Sequence, residues 1–283
     1  MFRLARSSSP DERHLRVGVR AALGVVPWFD ALVIAWLLLL YDAINNLAPL
    51  QRAVALRRAA DVLSLERKLH IDIELTLNRW LAHEPLLGYI AGTYYDLGHV
   101  FVTFGVLGVM WWKRRDLYKS MRSQLVLVNL VAFIVFWRFP VAPPRMLANL
   151  GFSDIVAKSD ALVSWHTGRL ARDANQYAAM PSLHVAWAMW SARAIWRMVP
   201  RRSVRGLAVV MPFLTALVVI ATANHFVLDV VSGAATFLLA GVTVPSMRRL
   251  AHRSAARLTA TARLGATLRE SRAGQLTRRQ AAR

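Results

Sequence analysis

Three short stretches hold residues whose types and spacing could handle a phosphate group. The first is Asn224-His225-Phe226-Val227-Leu228-Asp229. His225 and Asp229 stand four residues apart, so a helix puts them on one face. A carboxylate bonded to one ring nitrogen fixes the tautomer and frees the other nitrogen as nucleophile or base. An aspartate just inside an apolar run is costly in a bilayer, which makes Asp229 a functional candidate. A structural ion pair, or a proton relay in a transporter, would use the same two residues. Gly233, one turn further, would let a neighbouring helix approach closely.

The second stretch is Met180-Pro181-Ser182-Leu183-His184. Proline at a first helical turn is a start signal. The N–H groups of that turn and the positive end of the helix dipole favour an anion. Ser182 adds a hydroxyl, and His184 lies close enough to meet a bound phosphate. An ordinary serine cap beside an interfacial histidine would look the same. The third stretch runs from Arg138 through Pro140, Pro143 and Pro144 to Arg145. Its prolines stop a helix and stiffen the exit. The guanidiniums at its two ends have the planar fork that suits phosphate oxygens. Taken alone, Arg138 also reads as a side chain snorkelling to lipid headgroups.

The elements that must position these residues are membrane helices. Hydrophobic residues make up 56% of the 283-residue chain, and they are gathered in long runs. A span needs about 20 mostly apolar residues. On that criterion about six segments qualify: Val25 to Ile44, Leu86 to Trp112, Gln124 to Phe139, Pro181 to Val199, Gly206 to Ala223 and Phe226 to Val244. The fold class is therefore all-α, a polytopic membrane helix bundle. Residues 1–24 read as a basic N-terminus, 25–247 as the membrane domain, and 248–283 as a basic tail with few large apolar residues. The net charge of +20 lies between the runs and at the ends, which fits basic loops and not a nucleic-acid binder. The ten tryptophans and six tyrosines suit interfacial belts. Without cysteine the chain has no thiol nucleophile or thiolate metal site.

Arginine and lysine set the orientation. The N-terminus, the connection around Lys113 to Arg122, the connection around Arg197 to Arg205 and the tail fall on one side, which should be cytoplasmic. The three chemical stretches then fall together on the extracytoplasmic side of a cell membrane. The first outer loop carries apolar residues at Val62, Leu65, Leu69, Ile73, Leu77 and Leu81, the spacing of an amphipathic helix on the membrane surface or on the bundle. Tyr94, Tyr95, Asp96 and His99 form a polar cluster in the second span. Helix–helix hydrogen bonding explains it more simply than a headgroup pocket does.

Arg138 and Arg145, separated by six residues, then Pro181-Ser182-Leu183-His184, then His225 and Asp229, resemble the three ordered motifs of the type 2 phosphatidic acid phosphatase family. The family's third motif opens with Ser-Arg, where this chain has Val218 and Val219. The Pro-Pro-Arg and Ser-Leu-His-Val-Ala-Trp forms look like the branch related to fungal inositol phosphorylceramide synthases. The resemblance implies that His225 attacks phosphorus, that Asp229 orients it, and that His184 protonates the leaving alkoxide. It implies that Arg138, Arg145 and Ser182 hold the phosphoryl oxygens, and that no metal or other cofactor is needed. The substrate would be a lipid phosphate or a polyprenyl diphosphate. The acceptor would be water or an alcohol such as inositol. A proton-coupled transporter is the competing reading from a different class. Such a protein more often shows broken helices or repeated halves.

Overall fold

The structure, a computed structural model, describes residues 52–158, 176–247, 249, 250 and 254. The expected span at Val25 to Ile44 and nearly all of the tail lie outside these residues.

Among the described residues the architecture is helical, with no strand. Helix α1 (Arg52–Leu69) and helix α2 (Glu74–Ala82) come first. Helix α3 (Pro85–Thr93) continues through a π turn at Tyr94–Gly98 into α4 (His99–Lys113). Both joints keep right-handed helical dihedrals, so this stretch is one rod with a local bulge. Helix α5 (Arg115–Arg138) follows, then two 3-10 turns (Pro144–Met146 and Ala148–Leu150) and the short α6 (Ile155–Lys158). Helices α7 (Leu183–Met198), α8 (Arg202–Ala221) and α9 (Val227–Met247) complete the bundle.

Three of these, α5, α8 and α9, are long and apolar enough to cross a membrane. Their outward faces show Ile134, Leu207, Phe213, Val231, Leu238 and Val242, all largely exposed, as a lipid-facing surface requires. Inside the bundle, polar side chains join helix to helix. The Trp190 Nε1–H donates to the Met121 carbonyl at 2.8 Å, the Gln124 amide donates to the Phe237 carbonyl at 3.2 Å, and the Thr103 and Ser191 hydroxyls meet at 3.2 Å.

Two sequence expectations are corrected. The span expected from Gln124 begins at Arg115, so Lys119 and Arg122 lie within α5 and not in a loop. Long basic side chains can keep their charges in water from the first turns of an otherwise apolar helix. Only Arg114, with non-helical dihedrals, separates α4 from α5. The amphipathic outer element is two helices, broken where His70 takes a positive φ of 57°. Its packed stripe is Ala55, Ala59, Val62, Leu63 and Glu66, whereas Leu65, Leu69 and Ile73 are about half exposed. Small side chains on the packed face let α1 lie against Val141, Ala142, Ala223 and Phe226.

Both helices are fastened to the site end of the bundle. The Asn78 amide is buried on α2. It donates to the Ala221 carbonyl and the Ser153 carbonyl, each at 3.0 Å, and accepts from the Ser153 N–H at 2.8 Å. That clamp holds the end of α8 just before the turn that carries His225.

Candidate functional site

The three stretches meet at one end of the bundle, joined by their backbones. Val141, after α5, pairs with the segment before α7: its N–H donates to Tyr177 at 2.9 Å, and its carbonyl accepts from the Ala179 N–H at 3.2 Å. The Arg145 N–H donates to the Ala223 carbonyl at 2.9 Å, tying the proline segment to the α8–α9 turn. The Ser182 N–H donates to the Asp229 carbonyl at 3.0 Å, tying the start of α7 to α9. Gly233 makes that approach possible. A Cβ there would lie 2.3 Å from the Ser182 carbonyl oxygen, a distance no backbone contact tolerates. Gly233→Ala is therefore expected to push α7 and α9 apart. It should lower turnover by about 10²-fold, the scale set by an ångström of misplacement, as measured on purified protein with a lipid phosphate. Near-normal turnover would show that the close contact does not matter.

His225 is buried, and its Nδ1 lies 2.8 Å from the Ala179 carbonyl. A carbonyl only accepts, so Nδ1 carries a proton, and in the neutral ring the lone pair falls on Nε2. Asp229, also buried, places Oδ2 3.5 Å from the same Nδ1. The sequence expectation that the carboxylate itself fixes the tautomer is thus modified. The Ala179 carbonyl makes the short bond, while Asp229 supplies negative charge beside the ring. Asp229 Oδ2 also accepts the Phe226 N–H at 2.8 Å, within its own helix start.

His184, in the first turn of α7, places Nδ1 3.4 Å from His225 Nε2. Its ring stacks on Tyr95 at a centroid distance of 4.3 Å and leans on His99 at 4.0 Å. The polar cluster of the second span therefore divides. The Tyr94 hydroxyl bonds Thr215 at 2.7 Å, a helix–helix contact as expected, whereas Tyr95 and His99 face the site. Adjacent helical residues point in different directions, so the neighbouring tyrosines serve different partners, while Tyr95 and His99, four apart, face the same way.

Ser182 stands at the N-cap of α7 but makes no side-chain cap bond. Its hydroxyl is fully buried and has no hydrogen-bond partner among the described residues, and neither has Asp229 Oδ1. The ordinary-cap reading of Ser182 therefore fails. The Arg145 side chain is only 8% exposed; it donates to Asn224 Oδ1 and lies 3.3 Å from Asp154 Oδ2. Arg138 is not brought in. It is exposed at the end of α5, and no hydrogen bond or ion pair among the described residues joins its side chain to the cluster.

A family model of the PAP2 superfamily matches residues 60–243. The chain belongs to the PAP2 superfamily. No curated protein and no solved structure gave a match. Members of this superfamily generally act as phosphoesterases or phosphotransferases, which fits a pair of facing imidazoles. Where the PAP2 third motif carries its arginine, Val219 is 1% exposed and packs with Tyr95, Val156, Val185 and Ile220. Its carbonyl accepts the N–H groups of Asn224 and His225, each at 3.1 Å, so this position shapes the turn. Arg145 is the guanidinium bonded to that turn, through Asn224.

Glu66 and Glu74 were not singled out from the sequence. Both are fully buried. The available signal was position: Glu66 continues the spacing of Ala55, Ala59, Val62 and Leu63.

Proposed function

We propose that this chain is an integral membrane lipid phosphatase or phosphotransferase that works through a phosphohistidine on His225. The observation that carries the reading is the pairing of the two imidazoles. His225 Nε2 faces His184 Nδ1 at 3.4 Å, and Ala179 and Asp229 hold the other side of the ring. In the first step the Nε2 lone pair forms a P–N bond as the P–O ester bond breaks, and the leaving alkoxide takes a proton from His184. In the second, His184 removes a proton from the acceptor, whose oxygen attacks phosphorus and releases His225. Asp229 stabilises the imidazolium character that develops on His225. Arg145, the Ser182 hydroxyl and the first N–H groups of α7 hold the phosphoryl oxygens. Arg138, exposed at the end of α5, contributes less. A phosphoryl group must separate the two rings on entry, and the faces of Tyr95 and His99 guide His184 as it yields.

A six-span topology with both ends cytoplasmic fits the charge distribution. Helices α5 and α8 run from a basic end (Arg115, Arg202) towards the site, and α7 and α9 return to Arg197 and Arg249. The positive-inside rule then puts the site outside. The substrate is a lipid phosphoester or a polyprenyl diphosphate. With water as acceptor the enzyme is a phosphatase. With an alcohol such as inositol it is a phosphotransferase, as the likeness to the inositol phosphorylceramide synthase branch suggests.

The test is purified protein in lipid nanodiscs, given labelled long-chain lipid phosphates, phosphoinositol donors and diphosphates, with water alone or with added alcohols. Phosphate release, or label on an alcohol, is the expected result. Proton-coupled flux in vesicles without either product would favour the transporter reading.

A further inference from the structure

The start of α9 carries His225 and Asp229, and its first N–H groups have unusual partners. The Phe226 N–H donates to Asp229 Oδ2 at 2.8 Å, the Val227 N–H to Glu74 Oε1 at 2.8 Å, and the Leu228 N–H to Glu66 Oε1 at 2.7 Å. Two of the three capping carboxyls come from α1 and α2, more than 150 positions away in sequence. Glu66 and Glu74 are both fully buried, and their side chains lie within hydrogen-bonding reach of each other. Among the described residues their second oxygens have no donor. Three ionised carboxylates packed on one helix end would repel, and a single proton held between Glu66 and Glu74 relieves that charge.

We propose that Glu66 and Glu74 share one proton and together act as the positioning device for His225, setting the place and angle of the α9 start from outside the membrane-spanning helices. The inference rests on the reading of His225 as nucleophile. It assigns the pair no contact with substrate: Glu66 and Glu74 are positioning residues. It also explains a division of labour. The N–H groups at the α9 start are taken by carboxyl groups, so the phosphate is left to the α7 end, where Ser182 makes no cap bond.

Burial pushes the Glu66 carboxyl up to about 9, helped by Glu74 and Asp229 and opposed by the Leu228 N–H. The charged groups facing it are Glu74 on α2 and Asp229 on α9. Because the folded state keeps a proton that the unfolded chain loses near its ordinary value of 4.5, the folded state binds more protons between 4.5 and about 9. Stability from this group is full at the acid end of that window and declines as pH rises through it.

The experiment compares wild type, Glu66→Gln and Glu66→Ala as full-length protein in nanodiscs. Glutamine keeps an oxygen for the Leu228 N–H and an N–H for Glu74, but has no proton to lose. Thermal midpoints between about pH 6 and about pH 9.5 should fall more steeply for wild type than for Glu66→Gln. At neutral pH Glu66→Gln should keep most of the wild-type kcat. Glu66→Ala should lose about tenfold or more in kcat with little change in KM, as expected when the nucleophile and not the binding site is displaced. Equal pH slopes for wild type and Glu66→Gln would overturn the shared proton. An unchanged kcat in Glu66→Ala, or an equal loss in both variants, would overturn the positioning role. The thermal readout does not depend on catalysis and survives if Glu66→Ala fails to fold. A fully active His225→Ala would instead remove the nucleophile reading and leave the thermal result standing.

Discussion

His225→Ala is expected to lower kcat by at least about 10³-fold, because no other group in the cluster can take over a nucleophile's bond to phosphorus. The protein should still fold. The lost ring leaves the Ala179 carbonyl without its partner, a cost of about 1–3 kcal/mol, while the turn keeps its backbone bonds to Val219. His184→Ala should also be severely impaired, but with a chemical difference. A leaving group that needs no proton, such as nitrophenolate, should restore much of the first step in His184→Ala and none of it in His225→Ala. Equal rescue of both variants would contradict the assignment of acid and nucleophile.

The second large effect is expected at Arg145. Its guanidinium is held by Asn224, next in sequence to His225, and by Asp154, and its own N–H is fixed to Ala223. A charge so held needs no reorganisation to meet the transition state, so Arg145→Ala should cost about 10²–10³-fold in kcat. Arg145→Lys should recover little, because an ammonium cannot reproduce the planar fork that engages Asn224 and Asp154 together. Arg138→Ala should be much milder, since that side chain is exposed and outside the bonded cluster. A reversed order, with Arg138 the more sensitive, would show that the phosphate sits nearer the end of α5 than the bonding around Arg145 implies.

Much of this was legible in the sequence because the rules behind it are local. Long apolar runs reveal α5, α8 and α9, prolines mark the exit of α5 and the entry of α7, and the spacing of His225 and Asp229 needs only helical geometry. The unreadable part depended on tertiary contact. No local pattern says that a backbone carbonyl, Ala179, will outcompete Asp229 for His225 Nδ1. Nothing in the run from Tyr94 to His99 announces its π turn, or says that Tyr94 will meet Thr215 and Tyr95 will stack on His184. The burial of Glu66 and Glu74 is unusual for carboxylates and depends on α9 presenting N–H groups that need acceptors. Gly233 was readable as a point of close approach, but its partner, the Ser182 carbonyl, was not.

A covalent phosphoryl group on His225 can be trapped directly. Wild-type protein in nanodiscs should be mixed briefly with a lipid phosphate carrying radiolabelled phosphorus, quenched under alkaline conditions that preserve phosphohistidine, and mapped by peptide mass spectrometry. Label is expected on His225, lost in His225→Ala and accumulating in His184→Ala with a nitrophenyl phosphate donor. Turnover by wild type with label on another residue, or with none on His225 at any time point, would contradict a phosphohistidine at His225.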